Sequence, residues 1–326
     1  MANSIKKLII FVFSIFFLFL IYFLLTCYID NAYGISPFCE ESSEEKLFSI
    51  EKNQNLFQIS KNLEEQGIIK NRFCSDAYIL LSMNARKLQK GSYRLSSCMN
   101  ISEIIEKIVS GETAKIKLIV PEGYTIEQIE GEINKIRKDN KITLFSFKAG
   151  DLKGQFLFLK DVPDENSLEG FLFPDTYYIS EQEAGENKKE LENIVSRMLS
   201  NFQKKFNPDL REKVERQNKS IFDVVIMASL IEKEVITLED KKKVSGVLWK
   251  RLNQGVPLQV DSCLETYKKR GLPQKAICNP GLESIIASIY PEKTGYWYYL
   301  STSKGETIFS KTLREHNINI IKYLKQ

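Results

Sequence analysis

The chain has 326 residues, room for one large or two ordinary domains, and it is 43% hydrophobic and 27% charged, a balance that supports a buried core and excludes a disordered chain. Its 46 Lys and Arg against 42 Asp and Glu leave a net charge of +4, which excludes a nucleic-acid protein held by bulk positive charge. A single histidine, His316, and the lack of any Cys-x-x-Cys pair rule out a multi-histidine metal site and a zinc ribbon, so no metal or cofactor is expected and acid-base chemistry falls mainly to carboxylates.

From Leu8 to Leu25 runs LIIFVFSIFFLFLIYFLL, uncharged and broken only by Ser14 and Tyr22, with Ile5 and Thr26 to Ile29 extending it. At about 1.5 Å of rise per residue, this is a membrane-spanning length. Lys6 and Lys7 precede it, and the first charges after it are acidic, so the positive-inside bias places the N-terminus in the cytoplasm and the remaining chain outside. The apolar run is longer than a signal-peptide core and no small-x-small site follows it, so it reads as an uncleaved anchor in the cytoplasmic (inner) membrane. The expected division is residues 1–7 as a cytoplasmic stub, 8–29 as the transmembrane helix, 30–46 as a polar linker, and then two exported regions, 47–150 and 151–326. Of six cysteines, Cys74, Cys98, Cys263 and Cys278 lie in the exported body. Sequence proximity favours pairing Cys74 with Cys98 and Cys263 with Cys278, and buried free thiols are the equal alternative.

The first exported region repeats one unit: an extended apolar stretch, a turn, then an amphipathic helix. Leu47 to Ile50 leads to a helix carrying Leu56, Ile59 and Leu63 that ends at Gly67. Tyr93 to Leu95 leads to one carrying Ile101, Ile104, Ile105 and Ile108 that ends at Gly111. Lys115 to Val120 alternates as a strand, turns at Pro121-Glu122-Gly123 and enters a helix with Ile126, Ile129, Ile133 and Ile136. Each helix offers one apolar face to a small sheet, giving a compact α+β module.

A lysine-rich stretch from Lys135 to Lys141 and a loop from Gly150 to Asn166 precede the second region. Ser167 to Ile179, SLEGFLFPDTYYI, reads as an aromatic strand broken at Pro174, and Asn193 to Phe206 as a helix. Ile221 to Val235 is a helix apolar nearly all round. Thr237 caps a helix running to Asn253, and Asn279-Pro280 opens another to Tyr290. Trp297 to Ser301 and Thr307 to Ser310 form a hairpin about Lys304-Gly305, and a helix from Leu313 to Leu324 closes the chain.

The chemistry concentrates at the end of the buried helix, IFDVVIMASLIEKEV. At 100° per residue Glu234 lines up with Met227, Leu230 and Ile231, and Glu232 with Val225, Ala228 and Ser229. Burial and the helix C-terminal dipole both disfavour a charged carboxylate there and raise its pKa, which suits proton donation to a glycosidic oxygen. The bland alternative is a solvated helix end, with both acids paired to Lys233 or to Lys241 to Lys243.

SLEGFLFPDTYYI, MASLIEKEV, VSGVLWKRLNQGVPLQVDS, ICNPGLESIIASIYPEKTGYWYYL and FSKTLREHN, in this order behind one membrane anchor, resemble the endolytic murein transglycosylases, the YceG-like family. The resemblance runs from about Leu47 to the C-terminus. It implies a LysM-like α+β region over 47–150 and a mixed α+β catalytic domain over 151–326 that cuts nascent peptidoglycan within the glycan strand. The catalytic acid it implies is the second Glu of E-K-E, Glu234. That group would protonate the bridge between MurNAc and GlcNAc and then take the proton of the MurNAc C6 hydroxyl, leaving a 1,6-anhydroMurNAc end without water. It also implies association with penicillin-binding proteins.

Polar groups that could meet the substrate come from the other motifs: Glu169, Asp175, Gln259, Asp261, Tyr267 and Asn279, with Glu265 and Thr266 beside Tyr267. Each has a plain alternative: Asn279 as a helix cap, Asp175 as a turn residue, Tyr267 as packing. His316 reads as structural, and Phe171, Phe173, Tyr177, Trp297 and Tyr298 as core. The sequence departs from the family pattern with LETY where Asn-Thr-Tyr is usual, GLPQKAI for Gly-Leu-Pro-Pro-Gly-Pro-Ile, and a shortened stretch between Asp261 and Gly271, which puts substrate detail in question. Two other readings stay open: a non-catalytic peptidoglycan-binding scaffold, and hydrolysis with Glu232 or Asp261 activating water.

Overall fold

Residues 2–33, 45–136, 143–180, 188–302 and 305–324 are described by the computed structural model. Most of the expected linker (34–44, with Cys39), residues 137–142 of the lysine-rich stretch, and Lys304 of the expected hairpin turn lie outside the described residues. Two compact units make up the chain, Met1–Ile116 with Ser180–Gln182, and Lys117–Ile179 with Glu183–Gln326.

In the first unit, α1 (Ala2–Tyr33) contains Ile9–Cys27, long and apolar enough to cross a membrane by length and composition. There follow β1 (Lys46–Ile50), α2 (Leu56–Glu65), α3 (Arg72–Leu81), β2 (Gly91–Leu95) and α4 (Ile101–Ser110). β1 and β2 pair antiparallel with Phe48 opposite Tyr93, and their buried side chains meet Ile59 and Leu63 of α2, Ile79 of α3, and Ile104, Ile105 and Ile108 of α4. Local sequence starts and stops these helices. Asn55 with Gln58, and Asn100 with Glu103, form capping boxes, and Gly111 ends α4 at φ 71°, a left-handed conformation that costs a glycine little. α3 has no counterpart among the expected helices. Asn71 caps it, accepting from the backbone N–H groups of Phe73 and Cys74, but its apolar residues do not keep to one face.

α3 also corrects the cysteine pairing. Cys74 is bonded to Cys27, the last residue of the apolar span of α1, not to Cys98, because α3 packs along α1 and brings the two Cα atoms to 5.0 Å. Cys98 is likewise disulfide-bonded, whereas Cys263 and Cys278 are free thiols, so the alternative of unpaired cysteines holds for these two.

The second unit contains β3 (Lys115–Val120), α5 (Ile126–Ile136), α6 (Ala149–Leu152), β4 (Asp175–Ser180), α7 (Lys188–Lys205), α8 (Pro208–Arg216), α9 (Ile221–Glu234), α10 (Leu238–Asn253), α11 (Glu265–Lys268), α12 (Leu282–Ile289), β5 (Tyr298–Ser301), β6 (Thr307–Ser310) and α13 (Leu313–Leu324). β3 pairs with β4, and β5 with β6 as the expected hairpin, Tyr298 opposite Ser310. The mixed α+β class is as expected.

α9 is the central element of this unit. Every residue from Val224 to Ile231 is buried, with α8, α10 and α12 packed about it. Ser229, the one polar residue in that run, donates to Ile226 O at 2.7 Å and accepts from Ile277 N at 3.1 Å, so it is buried without losing its hydrogen bonds. A ring cluster of Phe156, Phe158, Phe171, Phe202 and Phe206 fills the space beyond α7.

Two expected elements differ. Only the end of SLEGFLFPDTYYI is a strand; Ser167 makes an isolated antiparallel bridge with Lys148, and the chain then turns at 169–172, where Gly170 takes φ 95°. A Cβ on Gly170 would lie 2.6 Å from Val225 Cγ1 and 2.7 Å from Ala276 Cβ, so only glycine fits against α9 there. The helix expected from Asn279-Pro280 starts two residues later, at Leu282 behind Gly281. Asn279 is fully buried and spends its side chain on the turn instead: its Oδ1 accepts from Gly170 N and Leu172 N, both at 2.9 Å, and its Nδ2 donates to Tyr124 O at 3.0 Å.

Candidate active site

The last turn of α9, where only Lys233 is exposed, separates two acids that differ by two positions. Glu232 turns inward. Its Oε2 accepts from Gly281 N at 3.0 Å and from the Ser284 hydroxyl at 2.5 Å, and its Oε1 lies 3.6 Å from Nζ of Lys241, itself buried on α10. This carboxylate therefore occupies the N-terminus of α12, where free N–H groups and the helix dipole favour an anion. It is committed to joining α9, α10 and α12, which removes it as a base for water.

Glu234 faces a cavity of about 570 Å³. Its Oε1 accepts from the Ser262 hydroxyl at 3.0 Å and more weakly from Ser262 N at 3.4 Å, and Tyr299 OH donates to Oε2 at 3.1 Å. The carbonyl of Glu234, one of the orphans at the helix end, accepts from the Ser301 hydroxyl at 3.0 Å, so the β5–β6 hairpin grips both ends of the residue. Burial pushes the Glu234 carboxyl above its ordinary pKa and the nearby Asp261 charge adds to this, against the lowering effect of the Ser262 and Tyr299 hydrogen bonds. Tyr299 is held neutral by its own burial and by Glu234, well above the usual phenol range.

Around this carboxyl the cavity wall includes Gln259, Asp261, Tyr267, Tyr298 and His316. Tyr267 OH donates to Asp261 Oδ1, and burial together with that acid pushes the phenol up to about 12. Gln259 sits at φ 51°, a left-handed conformation uncommon for its type, and is held by Arg251. The Arg251 guanidinium, only 4% exposed, donates to Gln259 Oε1 at 3.2 Å, Leu258 O at 2.7 Å and Trp297 O at 2.9 Å, tying the loop before Asp261 to the strand carrying Tyr299. His316 stacks on Tyr298, with ring centroids 5.2 Å apart, and burial, with the nearby Arg251 charge, lowers its pKa.

Of the residues singled out from the sequence, Glu234, Gln259, Asp261 and Tyr267 come together at this cavity, and three others do not line it. Glu169 lies against the N-terminus of α5, accepting from Ile126 N at 3.1 and 3.2 Å and from Asn279 Nδ2 at 2.8 Å. Asp175 is exposed at the start of β4, accepting from Asn201 Nδ2 at 2.9 Å and Thr176 N at 2.7 Å, the first of which holds its carboxyl below the ordinary range. Asn279 is the buried staple described above. Of the residues weighed as core, Phe171, Phe173 and Tyr177 are buried, whereas Tyr298 and His316 line the cavity. Ser262, Tyr299, Arg251 and Ser301 went unrecognised. Ser262 adjoins Asp261 in a quoted motif and Tyr299 adjoins Tyr298, so adjacency was the only signal for either.

The fold and site together define a mixed α+β protein with a single shielded carboxyl group, gripped by two hydroxyl donors, at the wall of a polar cleft. The YceG-like family model matches residues 48–265 and 263–322, and the chain belongs to that family. An endolytic murein transglycosylase of Bacillus subtilis (strain 168) is 30% identical over 324 aligned residues, covering 89% of this chain and 88% of that protein. One from Streptococcus pneumoniae (strain D39) is 25% identical over 338, covering 88% of this chain and 60% of its own longer one. A crystal structure of a yceG-like protein from Listeria monocytogenes, at 28% identity, superposes with a TM-score of 0.50 over 85% of this chain and 100% of that one.

Proposed function

We propose that this protein is a membrane-anchored endolytic murein transglycosylase, a lyase that cuts the MurNAc–GlcNAc bond of nascent peptidoglycan strands without water. The observation that carries the reading is Glu234: a carboxyl raised by burial, on the wall of a polar cleft, with both oxygens fixed by hydroxyl donors. The curated relatives carry the same activity in their names.

Glu234 in its acid form gives its proton to the oxygen between MurNAc C1 and GlcNAc C4. The C1–O bond breaks and GlcNAc leaves with a free hydroxyl. The carboxylate so formed is stabilised by Ser262 and Tyr299, which donate to its two oxygens. It then takes the proton of the MurNAc C6 hydroxyl as that oxygen closes on C1, giving the 1,6-anhydro end and restoring the acid. The Asp261 carboxylate, on the same cleft, answers the positive charge that builds on the sugar ring. One carboxyl group serves in both steps, unlike the carboxylate pair of ordinary glycosidases.

Ile9–Cys27 anchors the chain in the cytoplasmic membrane with the catalytic unit outside, as the flanking charges favour. The first exported region serves as a LysM-like glycan-holding element, and the enzyme works beside penicillin-binding proteins during wall assembly. The test is mass spectrometry of purified glycan strands after incubation. Anhydro-MurNAc ends appear with the wild type and vanish with Glu234→Gln, and undiminished ends from that variant would overturn the assignment.

A further inference from the structure

The first unit carries an apolar surface that its own core does not use. Phe73, Leu80 and Leu81 on α3 and Met83 just after it are 64%, 53%, 58% and 81% exposed, although Ile79 and Tyr78 on the same helix are buried. Large apolar side chains grouped this way mark an interaction surface. Their position relative to α1 says which kind. Cys74, in the first turn of α3, is bonded to Cys27, the last residue of the span Ile9–Cys27. Leu81, at the other end of α3, lines an apolar hollow with Ile21, Leu24 and Leu25 of α1. α3 thus runs back along the span from its outer end. Ile21, Leu24 and Leu25 lie two to six residues before Cys27, so at about 1.5 Å per residue the end of α3 stands roughly 3–9 Å below the outer end of the span. Exposed Arg86, Lys87 and Lys90 follow on the chain, as the cationic edge of an interfacial segment does.

We propose that α3 is a membrane-docking element: Leu80, Leu81 and Met83 sit among the acyl chains of the outer leaflet, Phe73 with the Arg72 guanidinium over its ring lies at the headgroup boundary with Arg86, Lys87 and Lys90, and the Cys27–Cys74 bond fixes the helix at that depth. The bilayer is the occupant because the patch continues the surface of a helix that is itself in lipid. This rests on α1 spanning the membrane, and the test separates the two claims.

The full-length protein is placed in vesicles of phosphatidylethanolamine and phosphatidylglycerol whose acyl chains are brominated near their middle. A fluorescent dansylalanine is introduced, one variant at a time, in place of Leu81, of Ile15 within the span, or of exposed Tyr178 on β4. Bromine should quench the probe at Leu81 to within about twofold of that at Ile15, as expected for a face buried 5–10 Å deep, and leave Tyr178 unquenched. Quenching at Ile15 with none at Leu81 overturns the docking and leaves the span intact. Loss of quenching at both positions removes the span and the docking with it. A blue-shifted but unquenched probe at Leu81 would mean that protein, such as a second copy, covers the face, and would equally overturn the proposal.

Discussion

Glu234 is poised between opposing influences, and each can be removed singly. Burial and the Asp261 charge raise its pKa, while Ser262 and Tyr299 lower it. Since the proposed reaction needs the protonated acid, activity should fall as pH rises through that pKa, and the alkaline limb of the rate profile should report it. Asp261→Asn removes a negative neighbour, lowers the pKa, and should move the limb to lower pH. Tyr299→Phe removes a donor to the carboxylate, raises the pKa, and should move the limb upward while kcat drops about 10- to 100-fold from lost stabilisation of the anion. Profiles of kcat/KM for the two variants, shifted in opposite directions, are the expected outcome.

Glu169 provides the corresponding test away from the cleft. Burial raises its pKa from 4.5 to about 7, despite its bonds to Ile126 N and Asn279. A raised folded-state pKa means that the folded chain holds its proton more tightly than the unfolded one. The associated stability is fully present below about pH 4.5 and is lost as pH climbs through 7, in total about 3 kcal/mol. Glu169→Gln keeps an acceptor for both N–H groups and should flatten urea midpoints between pH 5 and 8, where the wild type declines.

At the scale of elements, the two acids of E-K-E part ways, Glu232 into the packing of three helices and Glu234 into the cavity wall, where the proposed chemistry places it. Glu232 and Lys241 form a buried pair, with side chains 9% and 4% exposed, and Glu232 also closes the N-terminus of α12. Removing Glu232 leaves the buried Lys241 only its longer contact with Glu283, at 3.9 Å, so Glu232→Ala should cost toward the low end of about 3–5 kcal/mol in denaturant unfolding. Adding Lys241→Ala should recover part of that loss. The helical wheel separates the two acids onto different sides of α9, but both sides are buried through Ile231, so it does not by itself say which acid meets the cleft. It could not say that the face of Glu232 meets α12, since Gly281 and Ser284 lie about fifty residues downstream.

The same limit explains the other differences. Gly111, Asn100 with Glu103, and Thr237 with Asp240 are local signals, and the helices they bound stand where the sequence put them. Ser167 to Pro174 is rich in aromatic and aliphatic residues like a strand, but the N–H groups of Gly170 and Leu172 go to the side chain of Asn279, more than a hundred residues away, so composition alone misreads it. The cleft was legible in part for a related reason. Gln259, Asp261, Ser262 and Tyr267 cluster in sequence, whereas Arg251 and Tyr299 acquire their roles only when α10 and the β5–β6 hairpin converge on that loop.

Across the whole molecule, an apolar helix, a small α+β unit tied to it by a disulfide, and a larger unit holding the cleft follow one another along the chain. The Cys27–Cys74 bond closes a loop of 47 residues, and the chain-entropy account gives it about 4 kcal/mol. Cys74→Ser should therefore lower the unfolding midpoint of the first unit, read by hydrogen exchange at β1 and β2, with little change at α9. The account as a whole depends on cleavage without water, and digestion of glycan strands in ¹⁸O-labelled water tests that most directly. Product termini should carry the mass of anhydro-MurNAc with no ¹⁸O, and reducing MurNAc ends labelled with ¹⁸O would contradict it.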